Sequence, residues 1–134
     1  MRVPTDLQIL DRIWSRYYSA YSDFAKDESG RKSKIYVPLD IASVAQELGV
    51  DGDIVFGRLY YHLEEKYGYQ RPTGERVHLF TLEVGGDRHA INFPLMASVL
   101  AGLQEEDRKF RVSTWVAIIS LAVSIVALCV SLLT

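Results

Sequence analysis

No Lys, Arg, Asp or Glu lies beyond Arg111, and the final twenty residues are Val, Ile, Leu, Ala and three serines with one Trp, one Cys and one Thr. A helix over 115–133 would be about 28 Å long at ~1.5 Å per residue, close to the ~30 Å hydrocarbon thickness of a bilayer. Its eleven Val, Ile and Leu residues each favour the membrane centre by roughly 0.3–0.6 kcal/mol. A helix of a soluble core keeps a polar stripe or a charged end, and this one has neither. The segment therefore predicts a single transmembrane helix that anchors whatever precedes it to membrane lipid.

Arg108, Lys109 and Arg111 sit just before the apolar run, with only Thr134 after it. Positive flanks stay on the cytoplasmic side, which predicts a single-pass, tail-anchored protein with a cytoplasmic N-terminal domain and none beyond the membrane. A secretory signal is not expected either, since Asp6 and Asp11 interrupt the first twenty residues. The lone cysteine, Cys129, lies in the anchor, which argues against disulfides, thiolate catalysis in water and Cys-based metal sites. With 15 basic and 17 acidic residues the chain has a net charge of −2, so it has no built-in long-range attraction to nucleic acid or anionic lipid.

In the soluble part, Leu7, Leu10, Ile13, Trp14, Tyr17, Tyr21 and Phe24 recur at steps of three and four, which predicts a helix entered through a Thr5/Gln8 capping box. Residues 26–34 are polar, with Ser29-Gly30 at their middle, and read as a mobile loop. Ile35-Tyr36-Val37 is a short strand stopped by Pro38. Asp40 then caps a helix carrying Ile41, Val44, Ala45 and Leu48, which ends at a left-handed Gly49. After only 50–52 a second helix starts near Asp53, with Phe56, Leu59, Tyr60, Leu63 and Tyr67 inward, and Gly68 terminates it. Alternation over 77–84 and 89–93 across Gly85-Gly86-Asp87 predicts a β-hairpin. Phe80, Leu82 and Val84 would share a face with His89, Ile91 and Phe93. Pro94 opens a last helix with Leu95, Met96, Val99, Leu100 and Leu103 on its core face, and the helix is expected to run on into the anchor.

The order helix, short strand, two helices, β-hairpin wing, helix, together with Val37-Pro38-Leu39-Asp40, Leu48-Gly49-Val50-Asp51 and the Gly85-Gly86 hairpin, resembles a winged helix-turn-helix domain over 5–103. The expected fold is thus α+β. Residues 1–104 form a winged-helix-like head, 105–114 a charged juxtamembrane helix and 115–133 the anchor.

In winged-helix proteins the second helix of the pair usually enters the DNA major groove. At 100° per residue its exposed stripe here would be Ile54, Arg58, Tyr61 and Glu65, with His62 at the edge and Asp51, Asp53 and Glu64 around it. The wing balances Arg71, Arg76 and Arg88 against Glu75, Glu83 and Asp87, and Lys26, Arg31, Lys32 and Lys34 form the one local cationic excess. Two functions follow. In the first, a non-enzymatic, membrane-anchored module uses Ile54, Arg58, Tyr61, His62 and Glu65 to dock a protein partner at the cytoplasmic face of the membrane. The alternative is a membrane-tethered transcriptional regulator contacting DNA through Arg58, Arg71, Arg76 and Arg88, a role the resemblance implies.

An enzyme is the least expected class. His62, His78 and His89 have no i, i+4 spacing and no completing Cys or carboxylate cluster, so neither a metal site nor a catalytic residue is assigned. Gly85-Gly86 lacks the following Lys-Ser/Thr of a phosphate loop, and no cofactor or small-molecule substrate is expected. Within the anchor, Ala117, Ser120, Ser124, Ala127, Ser131 and Thr134 recur at alternating steps of three and four. Such a small-residue seam lets membrane helices approach closely and predicts a homo-oligomer.

Overall fold

The computed structural model describes residues 2–26, 31 and 33–134. The centre of the predicted 26–34 loop, with Ser29-Gly30 and Lys32, lies outside the described residues, as does the side chain of Asp87. The chain divides into two compact units, Met1–Leu100 and Ala101–Thr134.

In the first unit, α1 (Asp6–Ser22) is entered through the predicted capping box. The Gln8 N–H donates to the Thr5 hydroxyl oxygen at 3.1 Å, and the Thr5 N–H donates to the Gln8 side-chain oxygen Oε1 at 2.8 Å. Its fully buried residues are Ile9, Leu10 and Ile13, with Leu7 half-buried, so the core face is rotated toward Ile9 relative to the predicted stripe. A 3-10 turn at Phe24–Lys26 follows.

After β1 (Tyr36–Pro38), the Asp40 carboxylate caps α2 (Ile41–Leu48) by accepting the Ser43 N–H, and Gly49 ends the helix at φ 73°. The two helices are tied together by Glu47, which receives Arg16 at 2.9 Å and Arg12 at 3.7 Å. The Asp40 N–H donates to the Tyr17 hydroxyl.

The next helix is a composite rod. It begins as α3 (Gly52–Gly57), capped by Asp51, passes through a π-helical turn at Arg58–Leu63 and finishes as α4 (Glu64–Tyr67). In the turn the Glu64 N–H reaches back five residues to the Leu59 carbonyl. That extra residue per turn advances each later side chain by less than 100°, so a face extrapolated at α-helical pitch drifts out of phase. Val55, Leu59, Leu63 and Glu64 are the buried positions, whereas Tyr60, predicted inward, is exposed.

Two small antiparallel sheets follow. β2 (Tyr69–Gln70) pairs with β3 (Arg76–Val77), while β1, β5 (Asp87–Asn92) and β4 (Phe80–Val84) form a sheet in the order β1-β5-β4. The predicted strand over 77–84 is therefore interrupted. Val77 pairs with Tyr69, and the Leu79 N–H goes to the Glu64 carboxylate. Gly85 and Gly86 make the predicted tight turn at φ 55° and 97°.

The β4–β5 register runs Phe80–Ile91, Thr81–Ala90, Glu83–Arg88 and Val84–Asp87, skipping Leu82 and His89. His89 holds φ 53°, a left-handed conformation that breaks strand geometry. Phe80 and Ile91 are buried as the alternation predicts, but Leu82 is 45% exposed beside this break.

Phe93, predicted to close the strand, instead begins α5 (Phe93–Leu133), whose first turn is capped by the Asn92 side chain accepting the Leu95 N–H at 3.2 Å. Its ring stacks on Trp14 and Tyr21 at 5.3 and 4.8 Å. Met96 and Leu100 complete the core on this side.

The second unit, Ala101–Thr134, is the rest of α5. Two ion pairs lie within its charged stretch, Arg108–Glu105 at 2.6 Å and Arg111–Asp107 at 3.1 Å. Beyond them the helix is long and apolar enough to cross a membrane, and its most apolar stretch is not buried against anything.

Candidate interaction surface

Four of the five residues assigned to partner docking are solvent-accessible on the composite rod. Ile54 is 47% and Tyr61 74% exposed, and Glu65 and His62 are exposed too. The fifth is less open. Arg58 is half-buried, and its guanidinium donates to the Asp6 carboxylate at 2.8 Å, with the His62 ring 3.3 Å from the same carboxylate. The first turn of α1 thus sets a carboxylate against Arg58. Carboxylates at a helix N-terminus are favoured by the backbone dipole, so Asp6 serves both the helix and the pair.

Glu64, predicted among the acids around the exposed face, points into the protein. It is 8% exposed. Its carboxylate accepts the His78 ring nitrogen Nδ1 at 2.6 Å, the Leu79 N–H at 2.7 Å, Arg76 Nε at 3.1 Å and the Phe80 N–H at 3.4 Å. Arg76 also donates to the Glu64 backbone carbonyl at 3.0 Å.

Burial pushes this carboxyl up, and the hydrogen bonds from His78, Leu79, Arg76 and Phe80 more than offset it. The net pKa falls below the usual carboxylate range. Gly68 closes the arrangement, because a Cβ there would lie 2.6 Å from Arg76 Nη2 and from the Glu64 carbonyl. Its φ of −64° is ordinary, so the glycine is required by close approach and not by backbone conformation. Nothing in the local sequence marks Glu64 as buried; its partners come from residues 12 to 16 positions downstream.

The proposed nucleic-acid contacts separate. Arg58 and Arg76 are each held by a carboxylate. Arg71 and Arg88 are exposed, and Arg88 lies across the hairpin from Glu83. In the cationic loop, Arg31 is buried and donates to the carbonyls of Ser33, Ala20 and Lys34, with Phe24 beneath its guanidinium, while Lys34 lies over the Tyr21 ring. Among the described residues no group of three or more His, Cys, Asp or Glu gathers as a metal site would need. His78 and His89 are both half-buried, the latter against Phe56 and Phe80.

Two hollows border the rod. One, of about 590 Å³, is mostly apolar and is walled by Val3, Val50 and Ile54, with Arg2 and Asp51 at its rim. The other, of about 480 Å³, runs between Tyr60, Tyr61, Glu64 and Glu65 on the rod and Phe80, Thr81 and Leu82 on β4, with Arg76 and His78 also lining it. The tyrosines meet edge to face at 5.0 Å. On the apolar part of α5, Ala117, Ser120, Ser124, Ala127 and Ser131 are exposed, and the Ser124 hydroxyl donates to the Ser120 carbonyl. Compared with known protein families, with curated proteins and with solved structures, the chain finds no match.

Proposed function

We propose that this chain is a membrane-anchored interaction module, with a winged-helix head presenting a protein-docking face on the cytoplasmic side. The observation that carries the reading is the state of the composite rod. Ile54 and Tyr61 remain open to solvent while Arg58 is withdrawn into an ion pair with Asp6. Exposed aromatic and aliphatic anchors flanked by charges are what interface hot spots are made from.

The winged-helix reading is supported by the order of elements and by the β1-β5-β4 arrangement, in which the strand between the first two helices joins the hairpin. The anchor is supported by the unburied apolar stretch of α5, and the orientation by Arg108, Lys109 and Arg111 on its N-terminal flank. Self-association through the Ala117, Ser120, Ser124, Ala127 and Ser131 seam would set two heads on one patch of membrane. The alternative, a DNA-binding regulator, loses support because two of its four arginines already have carboxylate partners and the rod's exposed face carries Glu65.

The test is a photocrosslinking residue at position 61 of the full-length protein in its native membrane. Protein docking predicts a discrete protein adduct that persists at 0.5 M salt, about five times the ionic strength at which the Debye length is ~10 Å, and disappears with Ile54→Asp. Crosslinking to DNA, or retardation of genomic fragments that fades steeply with salt, would replace this reading with the regulator.

A further inference from the structure

The 480 Å³ groove runs alongside β4. Among the described residues β4 has β5 as its only strand neighbour, so its other edge is open. One wall of the groove is that edge, through Phe80, Thr81 and Leu82, and the other is the rod, through Tyr60, Tyr61, Glu64 and Glu65. At the Phe80 end the edge is stopped, because Glu64 accepts the N–H groups of Leu79 and Phe80. The π-helical turn sets both Tyr60 and Tyr61 on the groove wall, where an α-helical pitch would have turned Tyr60 inward.

A sheet edge flanked by a helix accepts an extended chain through main-chain hydrogen bonds, with side-chain pockets setting the preference. We infer that the groove binds an extended basic peptide from a partner protein, which adds as a strand along the open edge of β4.

The charge pattern selects the occupant. Inside the groove Glu64 is satisfied by Arg76 and His78. Glu65 is exposed and has no ion-pair partner among the described residues, and it lines the groove together with Tyr60 and Tyr61. A Lys or Arg side chain entering there meets a carboxylate and aromatic rings together. Glu83 is exposed on the same strand, so a second copy of β4 would bring another carboxylate toward Glu65, which disfavours self-pairing of this edge. The inference rests on the interaction-module reading and deepens it. It is separable because Ile54 does not line the groove.

The experiment uses the full chain in neutral detergent micelles and a fluorescein-labelled heptapeptide of alternating valine and lysine, read by fluorescence polarisation. Binding is expected to weaken about tenfold with Glu65→Lys, and a valine–glutamate heptapeptide should not bind. Only alternate N–H groups of an added strand face the sheet. Methylating the backbone nitrogens of one alternate set should therefore cost at least about tenfold, and methylating the other set little.

Ile54→Asp should leave this peptide binding intact even if it abolishes the crosslink at position 61. The inference falls if the valine–lysine peptide does not bind, if both methylated sets bind equally, or if Glu65→Lys leaves the affinity unchanged. It also falls if Leu82→Cys crosslinks two copies in place of peptide binding.

Discussion

Replacing Glu64 by alanine should cost the head about 2–4 kcal/mol, and the sum can be traced bond by bond. The Leu79 N–H, at 2.7 Å from the carboxylate, belongs to a fully buried residue. Stranding such a donor costs roughly 1–3 kcal/mol. The Phe80 bond, at 3.4 Å, is long and adds only a fraction of that. Arg76 and His78 have side chains 33% and 44% exposed, so water replaces much of what they lose and each contributes at most about 1 kcal/mol.

Glu64→Gln keeps an oxygen for Leu79 but turns an amide toward two donors, and should cost about 1–2 kcal/mol. Urea denaturation of the full chain in micelles, followed by near-ultraviolet circular dichroism, measures both. A loss below about 0.5 kcal/mol for the alanine variant would refute the account, since it would place the change among inconsequential surface substitutions.

The pH dependence gives a second readout. Because the folded protein holds this carboxyl below its ordinary value of about 4.5, the stabilisation is fully present above that pH. It is lost as pH falls through the lower, folded-state value. Glu64→Gln should flatten that acid limb, with its cost of about 1–2 kcal/mol seen in full at neutral pH.

Gly68→Ala should destabilise the head by about 1–3 kcal/mol through overpacking against the Glu64 carbonyl, measurable in the same melts. Gly49→Ala tests a different cause, since no atom lies within 4 Å of its missing Cβ. Its cost should come from the left-handed φ alone, about 1 kcal/mol. Leucine at Ser120, Ser124 and Ala127 together should abolish self-association in a membrane two-hybrid assay while carbonate extraction still leaves the chain in the membrane. Unchanged association would discard the small-residue seam.

Local signals in the sequence were legible and long-range ones were not. The Thr5/Gln8 box, the Asp40 cap, the left-handed Gly49 and the Gly85-Gly86 turn each depend on residues within a few positions, and all are present as read. The apolar tail was legible for the same reason, since its hydropathy is a property of the segment alone.

The π-helical turn is not legible in the sequence, and it puts Tyr60 on the outside and Glu64 on the inside of a helix whose faces a constant α-helical pitch would assign the other way. The pairing of β2 with β3 was missed because 69–70 and 76–77 are too short to show a period. Arg58 is a related case. Its helical position was read correctly, but its partner Asp6 lies 52 residues away, and no spacing rule reaches that far.

The ion pairs on α5 bear on where in a cell such a protein can reside. Between Glu105 and Arg111 three acids meet three bases. Arg108 is held by Glu105 and Arg111 by Asp107, leaving Lys109 as the only base in the stretch outside these pairs. A polybasic collar would discriminate among bilayers by their content of phosphatidylserine or phosphoinositide. This stretch is internally compensated, so, in the membrane-anchored reading proposed above, headgroup composition would exert little pull and sorting would fall to the thickness of the bilayer that the apolar segment matches.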